Sequence, residues 1–175
     1  MQLITTSIEI AASPAVVREK FLDFPSMPKY TPTGFMRSVA PADPSKSPAS
    51  LQAGDKINCV SSYGKMTFSA AIVENSSREF SWTGSVPVLF RGVHVFRFEE
   101  IPGGFEGEGQ RTRTKFVQEE TFTGLLSGIV GEGFLGNLVG MRKSSITGYN
   151  GFNQDFKAWV EGGTCSSGGE EGIPF

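Results

Sequence analysis

One histidine, His94, stands among 175 residues, and the two cysteines, Cys59 and Cys165, lie far apart in the chain. A single imidazole excludes any centre that needs two. The cysteines give neither a disulfide framework nor metal-ligand spacing, so no metal and no cofactor is expected. Positive charge is not in excess either: 16 Lys and Arg stand against 18 Asp and Glu, a net charge of -2. The broad positive field that nucleic acid or an anionic membrane rewards is missing, and neither partner is expected. No long apolar run occurs. The stretch from Leu125 to Met141 is interrupted by Glu132, Asn137 and five glycines, which makes a poor membrane-spanning helix. Met1 to Ala12 has no basic stretch ahead of its apolar residues, unlike a secretory signal. These absences predict a cytoplasmic protein with reduced thiols and no integral membrane segment.

What is present reads as one α+β domain over residues 1–162 with a tail over 163–175 that lacks periodicity. Ile4, Thr6, Ile8 and Ile10 share one parity, which predicts an opening strand with one buried face. Ser13-Pro14 caps a short helix carrying Val17, Phe21 and Phe24. Pro28, Pro32 and Gly34 then keep the chain irregular, and Pro41 to Ser50 reads as a polar loop. Five strands follow, at about 56–63, 65–75, 78–84, 91–100 and 111–123, separated by turn signals. A helix from about Leu138 to Glu161 carries Met141, Tyr149, Phe152, Phe156 and Trp159 at three- and four-residue spacings. A curved antiparallel sheet of about seven strands closed around that helix is the expected architecture, with a cavity left between them.

Strand parity assigns the inner face. Gly92, His94, Phe96 and Phe98 point inward on one strand, and Thr114, Phe116, Gln118, Glu120 and Phe122 on the next. A hairpin centred near Gly107 pairs residues whose numbers sum to about 214, which sets His94 opposite Glu120 with Cβ atoms roughly 5 Å apart. Such a pair would hold the imidazole protonated or fix its tautomer, as a proton-transfer site requires. A satisfied buried polar pair fits the same pattern. Cys59, Ser61, Tyr63, Met66, Phe68, Ile72, Phe80 and Trp82 join this face from the earlier strands. Ser61, Tyr63 and Gln118 are the candidates for orienting a ligand in an otherwise apolar pocket.

Residues 125–136 combine Leu125, Leu126, Ile129, Val130, Phe134 and Leu135 with four glycines, and read either as a movable lid or as a helix connector. Gly131 to Gly136 matches the dinucleotide-binding glycine pattern, but Asp155, at nearly the right distance, sits inside the helical aromatic repeat instead of at the end of a second parallel strand. Asn75-Ser76-Ser77 matches a glycosylation acceptor and reads as a turn. No nucleophile elbow or phosphate-binding loop occurs.

Ile8-Glu9-Ile10-Ala11-Ala12-Ser13-Pro14, Phe21-Leu22-Asp23-Phe24-Pro25 and Pro28-Lys29-Tyr30 resemble the START-like (SRPBCC) superfamily, which includes birch-pollen-allergen-like and polyketide cyclase/dehydrase proteins. Phe80-Ser81-Trp82-Thr83-Gly84, Gly92-Val93-His94-Val95-Phe96 and Glu120-Thr121-Phe122-Thr123-Gly124 extend the likeness to about residues 2–161. The resemblance implies a helix-grip fold around a hydrophobic cavity. Many relatives carry a Trp-Asn-Pro-like step where this chain has Tyr30-Thr31-Pro32, which implies a differently shaped entrance.

Two functions follow from these expectations. The chain binds a hydrophobic small molecule, polyketide-, lipid- or other secondary-metabolite-like, and assists its cyclisation or dehydration with His94 and Glu120 as proton-transfer groups. Alternatively it is a non-catalytic carrier or sensor of such a ligand. The residues expected to line the pocket are Tyr30, Ser61, Tyr63, Phe68, Trp82 and Phe96, with Phe116, Gln118, Phe122, Phe134, Tyr149 and Phe152 completing it. An interaction module would instead need a sizeable exposed apolar patch.

Overall fold

The computed structural model describes residues 2–61, 66–86, 90–102, 112–123 and 132–162. β1 (Gln2–Ile10) leads into α1 (Pro14–Leu22), whose start is fixed locally. The Ser13 carbonyl accepts from the Val17 N–H at 3.0 Å, its hydroxyl oxygen accepts from the Val16 N–H at 3.5 Å, and Pro14 takes the first helical position, where its missing N–H costs nothing. A turn of 3-10 helix at Phe24–Ser26 and the single-turn α2 (Met27–Tyr30) follow.

β2 (Ser38–Pro41), β3 (Lys56–Ser61), β4 (Met66–Asn75), β5 (Glu79–Val86), β6 (Phe90–Ile101) and β7 (Arg113–Thr123) complete a seven-stranded antiparallel sheet in the order β1-β7-β6-β5-β4-β3-β2. The long α3 (Glu132–Val160) packs against β1. The architecture is α+β, a curved sheet gripping its C-terminal helix.

Three local expectations change. β2 is a strand of four residues in a stretch that reads as irregular, held by pairing Ser38 to Val60 and Pro41 to Ile57. Met66 is 51% exposed, because β4 runs beyond the covered part of the sheet before Ala70 and Ile72 turn into the core. α3 begins at Glu132, about two turns earlier than the aromatic repeat suggests. Each residue added to an existing helix gains a hydrogen bond, and a glycine costs about 1 kcal/mol relative to alanine, so the long helix absorbs Gly133 and Gly136. Residues 132–136 are therefore helix instead of lid, while 125–131 lie outside the described residues.

Phe21 sits at the centre of the core. Its ring lies 4.6–6.1 Å from those of Phe24, Phe80, Phe96, Phe98, Phe116 and Phe156, joining α1 to three strands and α3. The end of α3 is clasped to the β1–α1 junction. Lys157 Nζ donates to the Glu9 carbonyl at 2.6 Å, and Glu161 Oε1 accepts from the Ala11 N–H at 2.7 Å and from Lys157 at 2.8 Å. Gly162, at φ +75, ends the helix in the left-handed region that only glycine enters freely.

Candidate functional site

β6 places His94 between Trp82 on β5 and Glu120 on β7, in the register that the hairpin count predicts. The imidazole is 5% exposed. It stacks on Phe96 at 4.6 Å with the planes 13° apart, lies 5.1 Å from the Trp82 ring, and meets the edge of Tyr149 from α3 at 5.1 Å. Its two nitrogens face different partners. Nε2 is 2.9 Å from Gln118 Nε2, and Nδ1 is 4.0 Å from Glu120 Oε1.

Burial decides the charge of this pair. Taking a charged group out of water disfavours its ionised form. That drives His94 down to about 3 and raises Glu120 to about 8. Near neutral pH the imidazole is uncharged and the carboxyl keeps its proton. The 4.0 Å contact is thus not an ion pair, although its distance alone would allow one. The expectation that Glu120 holds the imidazole protonated is corrected: desolvation outweighs attraction. The gap exceeds a direct hydrogen bond and matches the span of one bridging oxygen.

The other expected pocket residues fall into groups. Trp82, Phe96, Gln118 and Tyr149 surround His94 and are all buried. Phe116 and Phe152 lie deeper, in the phenylalanine core, 5.8 and 6.4 Å from Phe96. Tyr30 is 1% exposed and stacks on Trp159 at 5.5 Å, which puts it in the packing beneath α3 and away from any entrance. Ser61 is buried at the end of β3, and half-buried Phe68 lies under Gly84. Tyr63 and the side chains of Phe122 and Phe134 lie outside the described residues.

Two further polar side chains share this interior. Thr6 on β1 is paired directly with Gln118, and Asn153, one turn beyond Tyr149 on α3, donates from Nδ2 to Thr6 Oγ1 at 3.1 Å. Thr6 is legible in the sequence as an inward parity position. Asn153 carries a weaker signal, a lone amide within an aromatic helical stripe.

Cys59 is 1% exposed, and burial pushes its thiol up to about 12, so it is a small core residue and not a nucleophile. A groove of about 280 Å³ lies outside the grip, between α1 and residues 47–49, and is bounded by Arg18, Glu19 and Asp23. It includes none of the inward residues. Residues 62–65, 87–89 and 124–131 adjoin the far ends of the strands and lie outside the described residues, and with them the extent of the expected cavity. Among the described residues no helix is long and apolar enough to cross a membrane, and no group of three or more His, Cys, Asp or Glu is placed to hold a metal ion.

Known proteins with the same architecture share little sequence with this one. The di-domain ARO/CYC BexL from the BE-7585A biosynthetic pathway superposes with a TM-score of 0.58 at 12% identity, over 92% of this chain and 47% of its own. The chain thus spans about half of that di-domain protein. A protein of unknown function from Staphylococcus aureus gives a TM-score of 0.57 at 14% identity, with 92% and 95% of the two chains covered. One from Thermus thermophilus gives 0.55 at 15%, with 91% and 97% covered. At these identities the likeness is one of fold. No curated protein matches the sequence. The family model described as polyketide cyclase / dehydrase and lipid transport matches residues 1–147, and that family's activities have a hydrophobic ligand in common. By that match over most of its length, this chain belongs to the polyketide cyclase/dehydrase and lipid transport family.

Proposed function

We propose that the protein holds a hydrophobic small molecule, polyketide-, lipid- or other secondary-metabolite-like, between the sheet and α3, and assists its cyclisation or dehydration with His94 and Glu120. One observation carries this reading: a buried imidazole nitrogen and a buried carboxyl oxygen, 4.0 Å apart, face each other across β6 and β7. With the carboxyl protonated and the imidazole neutral, the pair offers a proton donor and a proton acceptor. A single oxygen of a carbonyl or hydroxyl ligand fits the gap, so donor and acceptor act on the same atom or its neighbour. Trp82, Phe96 and Tyr149 supply flat apolar walls. Such walls favour a planar or folded ligand, and holding it near its reactive geometry contributes to the rate. We place the protein in the cytoplasm, where Cys59 stays a thiol.

Mass spectrometry of what co-purifies with the full chain names the ligand class, and an apolar metabolite is expected. With that ligand or a poly-β-ketone analogue, turnover by His94→Ala and Glu120→Gln falls at least about tenfold while binding is kept, because positioned acid-base groups contribute about that or more. Unchanged turnover in both variants removes the pair from the mechanism. A second reading, a non-catalytic carrier, is favoured by the same charge state: two neutral groups clamped by Gln118 and aromatic rings also make an inert buried pair. The carrier predicts tight binding with no conversion by the unmodified protein.

A further inference from the structure

Two amide side chains inside the grip are only half satisfied. Gln118 and Asn153 are 0% and 1% exposed. One polar atom of each has a partner, Gln118 Nε2 against the His94 ring and Asn153 Nδ2 on Thr6 Oγ1. The other, Gln118 Oε1 and Asn153 Oδ1, is buried without a hydrogen bond in the protein. Turning either amide over exchanges its oxygen and nitrogen without removing the deficit, since one end still meets the known partner and the other meets nothing. The two amides are close neighbours. Thr6 is paired with Gln118 across β1 and β7, and Asn153 bonds to Thr6 from the helix above.

Buried polar groups in folded proteins are nearly always satisfied, so two orphaned amide ends around one threonine hydroxyl mark a place built for a polar group from outside the chain. We propose that this patch reads a hydroxyl group on the ligand: the ligand is a neutral phenol or alcohol whose O–H is held between Gln118 and Asn153. A hydroxyl both donates and accepts, so it meets either amide orientation. Thr6, Gln118, Asn153 and Tyr149 are all uncharged types, which disfavours a carboxylate at this position because a buried anion needs a cation beside it. The inference rests on the hydrophobic-ligand reading above and adds to it the chemistry of one end of the ligand.

The test uses a matched pair of probes, 2-naphthol and 2-methylnaphthalene, which differ by a hydroxyl in place of a methyl group, titrated into the full chain. The unmodified protein is expected to prefer 2-naphthol, and that preference drops about tenfold in Gln118→Leu and Asn153→Leu with 2-methylnaphthalene binding kept. If both probes bind and the preference is the same in the variants, or if 2-naphthoate binds more tightly than 2-naphthol, the hydroxyl assignment fails and the hydrophobic-ligand reading stands. If neither probe binds, both fall. Should the leucine variants not fold, side-chain amide NMR signals of the unmodified protein decide. Those of Gln118 and Asn153 shift with 2-naphthol and not with 2-methylnaphthalene, and equal responses to the two probes overturn the proposal.

Discussion

Gln118 Nε2 lies 2.9 Å from Nε2 of His94, on the side of the ring away from Glu120. When the amide donates, the ring proton resides on Nδ1 and faces the carboxyl; when the amide is turned, Nε2–H donates and Nδ1 is free to accept from the Glu120 O–H. Either arrangement needs a neutral ring. With a single histidine in the chain, the imidazole NMR signals report this directly. They are expected to stay constant between pH 4.5 and 8, since burial holds His94 down to about 3. A titration centred near the ordinary histidine value would show that the ring is solvated.

The same two shifts shape stability against pH. His94 is protonated only in the unfolded chain between about 3 and 6.5, so its contribution to stability rises with pH across that window. Glu120 keeps its proton only in the folded protein between about 4.5 and 8, so its contribution falls as pH rises there. The opposing slopes cancel between about 4.5 and 6.5, which leaves a plateau with a decline on each side. In denaturant titrations, Glu120→Gln is expected to remove the decline toward pH 8 and His94→Asn the decline toward pH 3, each relative to the unmodified protein.

Phe21→Ala leaves a hole among six aromatic rings. A loss of about 3–5 kcal/mol in unfolding free energy is expected, the range for a large buried aromatic reduced to alanine. A loss below about 1 kcal/mol would mean that the core re-packs around the gap.

Gly148 lies against Phe35. A Cβ added there would come 2.4 Å from the Phe35 ring and 2.7 Å from its Cβ, so the loop before β2 must shift to admit alanine. Gly148→Ala therefore costs about 1–3 kcal/mol as an overpacked contact, despite alanine's better helix propensity. Because Phe35 meets Tyr149 edge-on at 5.3 Å, ligand affinity is expected to change as well. Stability equal to or above that of the unmodified protein would show that the loop yields freely.

Parity carries most of what the sequence reveals. Alternation in 91–99 and 111–123, with one hairpin centre, is enough to bring His94 opposite Glu120. The charge of that pair is not legible, because parity says which way a side chain points and not how deeply it is covered. β2 leaves no sequence signal because four residues ending in proline show no alternation, and they become a strand only through β3. The first turns of α3 are hidden by glycines that a long helix tolerates. Asn153 is polar in an apolar stripe, and its importance appears only when Thr6, far away in sequence, is found at its amide.

The pairing of β1 with β7 has a consequence for biosynthesis. Gln2 must find Phe122, and Ile10 must find Thr114. At roughly 5–20 residues per second, translation delivers β7 several seconds or more after β1 has emerged. During that delay β1 carries Ile4, Ile8 and Ile10 without a neighbouring strand, and the ribosome-bound chain is a ready template for another chain's β-edge. Solubility during synthesis thus depends on how fast β7 is made as well as on how stable the finished grip is.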